Sequence, residues 1–115
     1  MVMLDFLTIN PTYNLDMPYY FIAQIKITDP VEYQKYLDSA GEVFSKYKGM
    51  YLAVDNNPLV LEGSWDYTRT VIIQFESKTD FENWYNSKEY QNILKHRLAG
   101  AICDTVLVEG LEVKS

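Results

Sequence analysis

The chain has 115 residues, 48% of them hydrophobic and 23% charged, with 5 glycines and 4 prolines, a composition that fits one globular domain and excludes disordered, collagenous and two-domain readings. A chain of this size buries roughly two-thirds of its unfolded surface, so it needs neither disulfides nor a structural metal, and its single cysteine, Cys103, can form no internal disulfide. Ten Lys and Arg against sixteen Asp and Glu give a net charge of −6, with the bases scattered along the chain, which makes nucleic acid and anionic membrane poor partners.

The first seventeen residues, MVMLDFLTINPTYNLDM, show no clear period and read as an appendage, with the domain expected over residues 18–115. The start MVMLDFL carries an acid where a signal peptide needs bases, and no apolar run approaches the ~20 residues of a membrane span. A cytoplasmic protein is the expectation, in keeping with a lone cysteine.

In YYFIAQIKIT the residues Phe21, Ala23, Ile25 and Ile27 alternate with Tyr20, Ile22, Gln24 and Lys26, the period of a first strand. Asp29, Pro30 and Glu32 then form a helix start, with a side-chain acceptor at the cap, Pro at the first helical position and a glutamate placed to reach back. Apolar positions Tyr33, Tyr36, Leu37, Ala40, Val43, Phe44 and Tyr47 follow at spacings of 3, 1, 3, 3, 1 and 3, one buried stripe, and Gly49 is expected to end the helix. Met50 to Asp55 reads as a second strand. Asn56, Asn57 and Pro58 make a turn, a break that suggests a bulge or an arm, and Leu59 to Gly63 is expected to resume the hairpin as a short strand. Thr70 to Glu76 is the third strand, with Val71, Ile73 and Phe75 on one face and Ile72 and Gln74 on the other. Caps at Ser77 or Thr79 and again at Ser87 predict a second helix in two pieces, closed by Gly100, before a last strand from Cys103 to Leu111.

The order β, α, β, β, α, β predicts an α+β fold of ferredoxin-like type, a four-stranded antiparallel sheet with both helices on one side. The other side stays open, yet it carries Ile22, Ile72, Val106 and Val108. Such a face is seldom left wet, so the expected cover is a second copy packed sheet to sheet in a homodimer.

Chemistry is harder to read. His96 is the only histidine, no metal-ligand spacing occurs, and no GxSxG or Gly-rich phosphate loop is present, so no metal or cofactor is implied. Haem ligation by His96 is weaker than the reading of a solvated histidine near a helix end. The suggestive group is Glu62, Trp65, Arg69, Tyr90, His96 and Arg97. Arg69 and Arg97 are the only arginines, and a guanidinium reaching a cleft offers a fork for a carboxylate or enolate. For Arg69 the competing reading is an ion pair with Glu62 across the hairpin. Arg97 shares a helical stripe with Tyr90, Ile93 and Leu94, and if buried it needs a partner, for which Glu62, Asp104 and Glu109 are candidates. Tyr33, Phe44, Phe75, Phe81 and Trp84 read as core.

The runs YYFIAQIKITDPVEYQKYLDSAGEVFSKYKGMYLAV, VLEGSW, RTVIIQFES, WYNSKEYQNILKHRLAGA and DTVLVEG together resemble the family known as domain of unknown function 1330. The resemblance spans Tyr19 to Gly110 and implies the dimeric α+β barrel, in which two ferredoxin-like subunits pair their sheets. The positions that carry it are Asp29, Pro30, Gly49, Glu62, Gly63, Arg69, Phe75, Trp84, Ser87, Tyr90, Arg97 and Gly110. Where the family usually reads Glu-Phe-Pro-Ser, this chain has Gln74, Phe75, Glu76 and Ser77, an amide in place of a carboxylate that could serve as a base.

Three functions follow. The first is a homodimer binding a small, carboxylated organic metabolite between helices and sheet through Arg69, Tyr90 and Arg97. The second, implied by the resemblance to dimeric barrels, is a cofactor-independent monooxygenase or isomerase in which Glu62 or His96 moves protons. The third is a non-catalytic dimerisation domain.

Overall fold

Period-two alternation decides which face of each strand meets the helices. In the computed structural model, which describes residues 15–114, the chain runs β1 (Leu15–Asp16), β2 (Tyr19–Ile27), α1 (Pro30–Phe44), β3 (Gly49–Asp55), β4 (Arg69–Phe75), α2 (Lys78–Tyr85), α3 (Lys88–Gly100), β5 (Ala101–Glu109) and β6 (Val113–Lys114). Residues 1–14 of the expected appendage lie outside the described residues; Leu15 and Asp16 pair with Lys114 and Val113 in a small second sheet. The main sheet has the order β3-β4-β2-β5 with every neighbouring pair antiparallel, the ferredoxin-like arrangement expected.

Phe21, Ala23 and Ile25 of β2 and Val71, Ile73 and Phe75 of β4 face the helices and are buried with Tyr33, Ala40, Val43 and Phe44 of α1. Trp84 of α2 is the hub. Its ring lies 4.2 Å from Tyr90, stacks on Phe75 at 5.5 Å and meets Phe21 and Phe44 edge-on at 5.5 and 5.6 Å, arrangements that add to plain burial.

The caps form as the sequence indicates, with one difference. Asp29 accepts from Glu32 N at 3.2 Å, Ser77 from Asp80 N and Ser87 from Tyr90 N. Glu32 does not reach back, because the Asp29 N–H already donates to Gly100 O at 3.0 Å. Gly49 does not end the first helix either. That helix stops at Phe44, and Gly49 opens β3 where a Cβ would lie 2.5 Å from Phe44 Cζ and 2.7 Å from Phe75 Cε1. Its smallness serves packing.

The expected strand Leu59–Gly63 does not form. Residues 56–68 are an arm between β3 and β4, since Pro58 brings no N–H to a ladder and Gly63 takes φ +82°. Leu59 and Leu61 stand 84% and 85% exposed on it. Lys26 ties the arm down through Asp66 at 2.8 Å, and Tyr67 hydroxyl donates to Asp104. The last strand begins two residues earlier than expected, directly off α3.

At Gly100 a Cβ would fall 2.6 Å from Tyr33 N and 2.9 Å from Tyr33 Cα, both backbone atoms that cannot step aside, whereas a Cβ at Gly41 meets nothing within 4 Å. Gly100→Ala is therefore expected to destabilise the fold by about 1–3 kcal/mol, and Gly41→Ala, in an open helical position, to stabilise it by about 0.5–1 kcal/mol. Urea unfolding of the two variants beside the parent checks the contrast.

Candidate functional site

The stripe of α1 and the stripe of α3 meet over the sheet. Tyr36 and Tyr90 join them, hydroxyl to hydroxyl at 2.8 Å, and the Arg97 guanidinium carbon lies 5.8 Å from the centre of the Tyr36 ring. Between α1 and the sheet is a cavity of about 50 Å³, bounded by Tyr33, Tyr36, Leu37 and Ala40 of α1, Tyr51 of β3, Trp84, both arginines, and the apolar side chains of β2 and β4. Arg69 reaches it because its register partner, Ile25, is on the core face of β2.

Arg97 is 3% exposed, the only charged residue among the described ones in that class. Burial opposes its charge, and the oxygens of Tyr90 and Tyr36 and the Cys103 thiol more than offset that, so the guanidinium titrates above its ordinary range and stays protonated. Burial also lifts the Tyr36, Tyr90 and Tyr33 phenols above their ordinary values, so these neighbours are neutral dipoles. The described ion pairs join Lys26 to Asp66, Lys35 to Glu32, Lys46 to Glu89 and His96 to Glu32; none includes Arg97.

The unpaired buried atoms sharpen this. Arg97 Nε and Nη1, Arg69 Nε and Trp84 Nε1 have no partner, and all three residues bound the same cavity. Four N–H donors without a partner, on three residues that all line one cavity with no carboxylate or imidazole in its walls, suit an acceptor, best a negatively charged one.

The residues singled out in the sequence divide three ways. Arg69 and Arg97 come together, and Tyr90 backs them through Tyr36 without lining the cavity. Arg69 does not pair with Glu62; its Nη1 donates to Asn56 Oδ1 at 2.6 Å, because the arm carries Glu62 away. Glu62 and Trp65 bound a separate hollow of about 520 Å³ on the opposite face of the sheet, with Gln24, Thr70 and Ile72. The arm's exposed leucines wall that hollow, and no buried charge faces it. None of the candidate partners serves Arg97, since Asp104 takes the Tyr67 hydroxyl and Glu109 that of Tyr19 at 2.9 Å. His96 is not a free, solvated histidine. Its Nδ1 meets Glu32 Oε2 at 2.5 Å, both side chains about one-quarter exposed, with Lys35 on the other carboxylate oxygen at 3.1 Å. The carboxylate opposite Nδ1 assigns the proton to that nitrogen.

Tyr33, Tyr36, Tyr51 and Trp84 were missed as lining residues, since a tyrosine on a helical stripe has the same spacing whether it fills a core or borders a cavity. Among the described residues no three His, Cys, Asp or Glu side chains gather as a metal set, and no helix is long and apolar enough to cross a membrane.

The sheet order and the two crossovers on one face define a ferredoxin-like α+β protein. Within that class the chain belongs to the DUF1330 family, a domain of unknown function, whose pattern matches residues 18–111. No protein with a curated description matches it. Among solved structures it is similar to a protein of unknown function from Rhodopseudomonas palustris, at 19% identity over 94% of this chain and 92% of that one, with a TM-score of 0.68. A dimeric ferredoxin-like protein of unknown function from Thermobifida fusca matches at 15% identity over 86% and 93%, TM-score 0.56. SnoaB, a cofactor-independent oxygenase from Streptomyces nogalater, matches at 13% over 80% and 91%, TM-score 0.58. At these identities the likeness is one of fold.

Two measurements test the electrostatics. Arg97→Met removes a buried charge that no carboxylate answers but that the Tyr90 and Tyr36 oxygens and the Cys103 thiol favour, so stability is expected to change by no more than about 1 kcal/mol, read as Tm; a much lower Tm would make the guanidinium a structural strut. At the surface, the hydrogen bonds from His96 and then Lys35 hold the Glu32 carboxyl below the ordinary glutamate value of 4.5. A depressed carboxyl stabilises the fold above its unfolded value and loses that contribution as pH falls through the folded one. The Tm advantage of the parent over Glu32→Gln is therefore expected to be full near neutrality and to shrink below about pH 4.

Proposed function

We propose that this protein is a cytoplasmic homodimer, paired through its open sheet face, that binds a small organic anion between the helices and the sheet at Arg97 and Arg69. The observation that carries the reading is the set of four unmatched N–H donors on Arg97, Arg69 and Trp84, which all line one cavity. Only neutral phenols and a thiol attend this buried guanidinium, and two of its nitrogens have no partner, so a ligand's negative charge would match it better than anything the lining supplies.

Pairing is supported by the open face. Met50, Ile102 and Val106 are each more than half exposed on it, with Val108 at 42%, and the similar Thermobifida fusca protein is described as dimeric. The fold-level likeness to an oxygenase keeps a catalytic reading in view, yet its candidate proton movers lie elsewhere: Glu62 is on the far side of the sheet and His96 is engaged with Glu32. Binding is favoured over proton abstraction for that reason.

Calorimetric titration with the sodium salts of a panel of aliphatic and aromatic acids, against sodium chloride at equal ionic strength, tests the reading. At least one acid is expected to bind, and Arg97→Met to weaken it by about tenfold or more, the worth of one charge-assisted hydrogen bond. A panel that binds equally to both proteins overturns the site. Sedimentation tests the pairing, a monomer at micromolar concentration being the contrary result.

A further inference from the structure

The cavity that holds the two arginines is small and one-sided in its chemistry. Its volume is about 50 Å³, against roughly 150 Å³ for a buried apolar cavity that accepts benzene. Apart from the arginines, Trp84 Nε1 and the phenols, its walls are hydrocarbon and aromatic: Phe21, Ile25, Ala40, Val71 and Ile73. A phosphate dianion would set acceptor oxygens against those walls and strip water from a second charge with nothing to replace it. A planar carboxylate matches a guanidinium fork and turns a hydrocarbon stem toward the apolar wall. Leu37 of α1 and Tyr51 of β3 are the lining residues with the largest open surfaces, 37% and 45% exposed. They mark the mouth. Tyr51 is held there by its ring contact with Phe44 at 4.5 Å.

We infer that the ligand is a short-chain monocarboxylate of about two carbons, taken carboxylate-first, and that Leu37 and Tyr51 exclude larger acids. The inference rests on the organic-anion reading above and narrows it to a substrate class. So small a ligand can make few contacts, which places its affinity in the millimolar range.

The readout is built into the site. The chain has 2 tryptophans, and Trp65→Phe, on the arm, leaves Trp84 in the cavity wall as the only indole, excited apart from the 10 tyrosines at the red edge of its absorption. In that background the full chain is titrated with sodium acetate, propionate, butyrate, benzoate and inorganic phosphate, each against sodium chloride at matched ionic strength. Acetate is expected to change Trp84 emission saturably, propionate and butyrate to bind progressively more weakly, and benzoate and phosphate to bind at least about tenfold more weakly than acetate. Tyr51→Ala is expected to bring benzoate to the level of butyrate while acetate is retained. Leu37→Ala, on an exposed part of α1, tests the same limit should loss of the Phe44 contact unfold the first variant. Benzoate binding to the unwidened mouth as well as acetate does would overturn the size limit and leave the anion site standing. Phosphate binding more tightly than acetate would overturn the carboxylate assignment. If none of the five probes binds, both this inference and the reading beneath it fall.

Discussion

The last turn of α3 rests directly on the first turn of α1, and the closeness of that contact governs what the rest of the molecule can do. Gly100 carbonyl accepts from both Thr28 N and Asp29 N, at 2.9 and 3.0 Å, and its missing side chain lets Tyr33 backbone sit where a Cβ would be. With the two helices locked at this point, their inward stripes run side by side, Tyr36 finds Tyr90, and Arg97, one turn before Gly100, is carried under α1 instead of into water. A wider spacing would let water reach the guanidinium, and an exposed arginine carries little of the electrostatic strength of a desolvated one.

The sheet separates two environments that the chain uses differently. On the helix side, aromatic packing around Trp84 leaves one small gap, and the only two arginines of a chain with net charge −6 both border it. The overall field of such a protein repels anions, so the unmatched donors on the helix side run against the charge of the chain as a whole. On the other side the strands expose valine, isoleucine and methionine, and the arm from residue 56 to 68 stands over them with its leucines outward. That face has the character of a contact surface and none of the buried charge of a binding pocket. The buried unmatched donors and the exposed apolar residues therefore lie on opposite faces of one sheet, where either set can change without disturbing the other.

Glu32 illustrates how a local rule yields to a tertiary contact. By sequence it completes a capping box with Asp29. In the fold the Asp29 N–H is already taken by Gly100 O, so the glutamate is free to turn to His96 and Lys35 and pins α1 to α3 a second time. The same contact between the helices accounts for both the cap that is only half made and the histidine that is not free.

Periodicity and cap chemistry determined the order of the four main strands and the helices, the core face of β2 and β4, the Asp29 and Ser87 caps and the break between α2 and α3, because each depends on neighbours within a few residues; Ser77 over Thr79 was decided by the fold. It also put Arg97 on one stripe with Tyr90, Ile93 and Leu94 and left open whether the side chain is buried, which the structure decides. Partners were beyond it. Whether Arg69 meets Glu62 or Asn56 depends on the path of an arm with no repeating pattern, and whether Tyr33 and Tyr36 fill a core or border a gap depends on a few ångströms of helix spacing. Those distances arise only when the helices, each placed by its own contacts, close over the sheet and leave donors without acceptors between them.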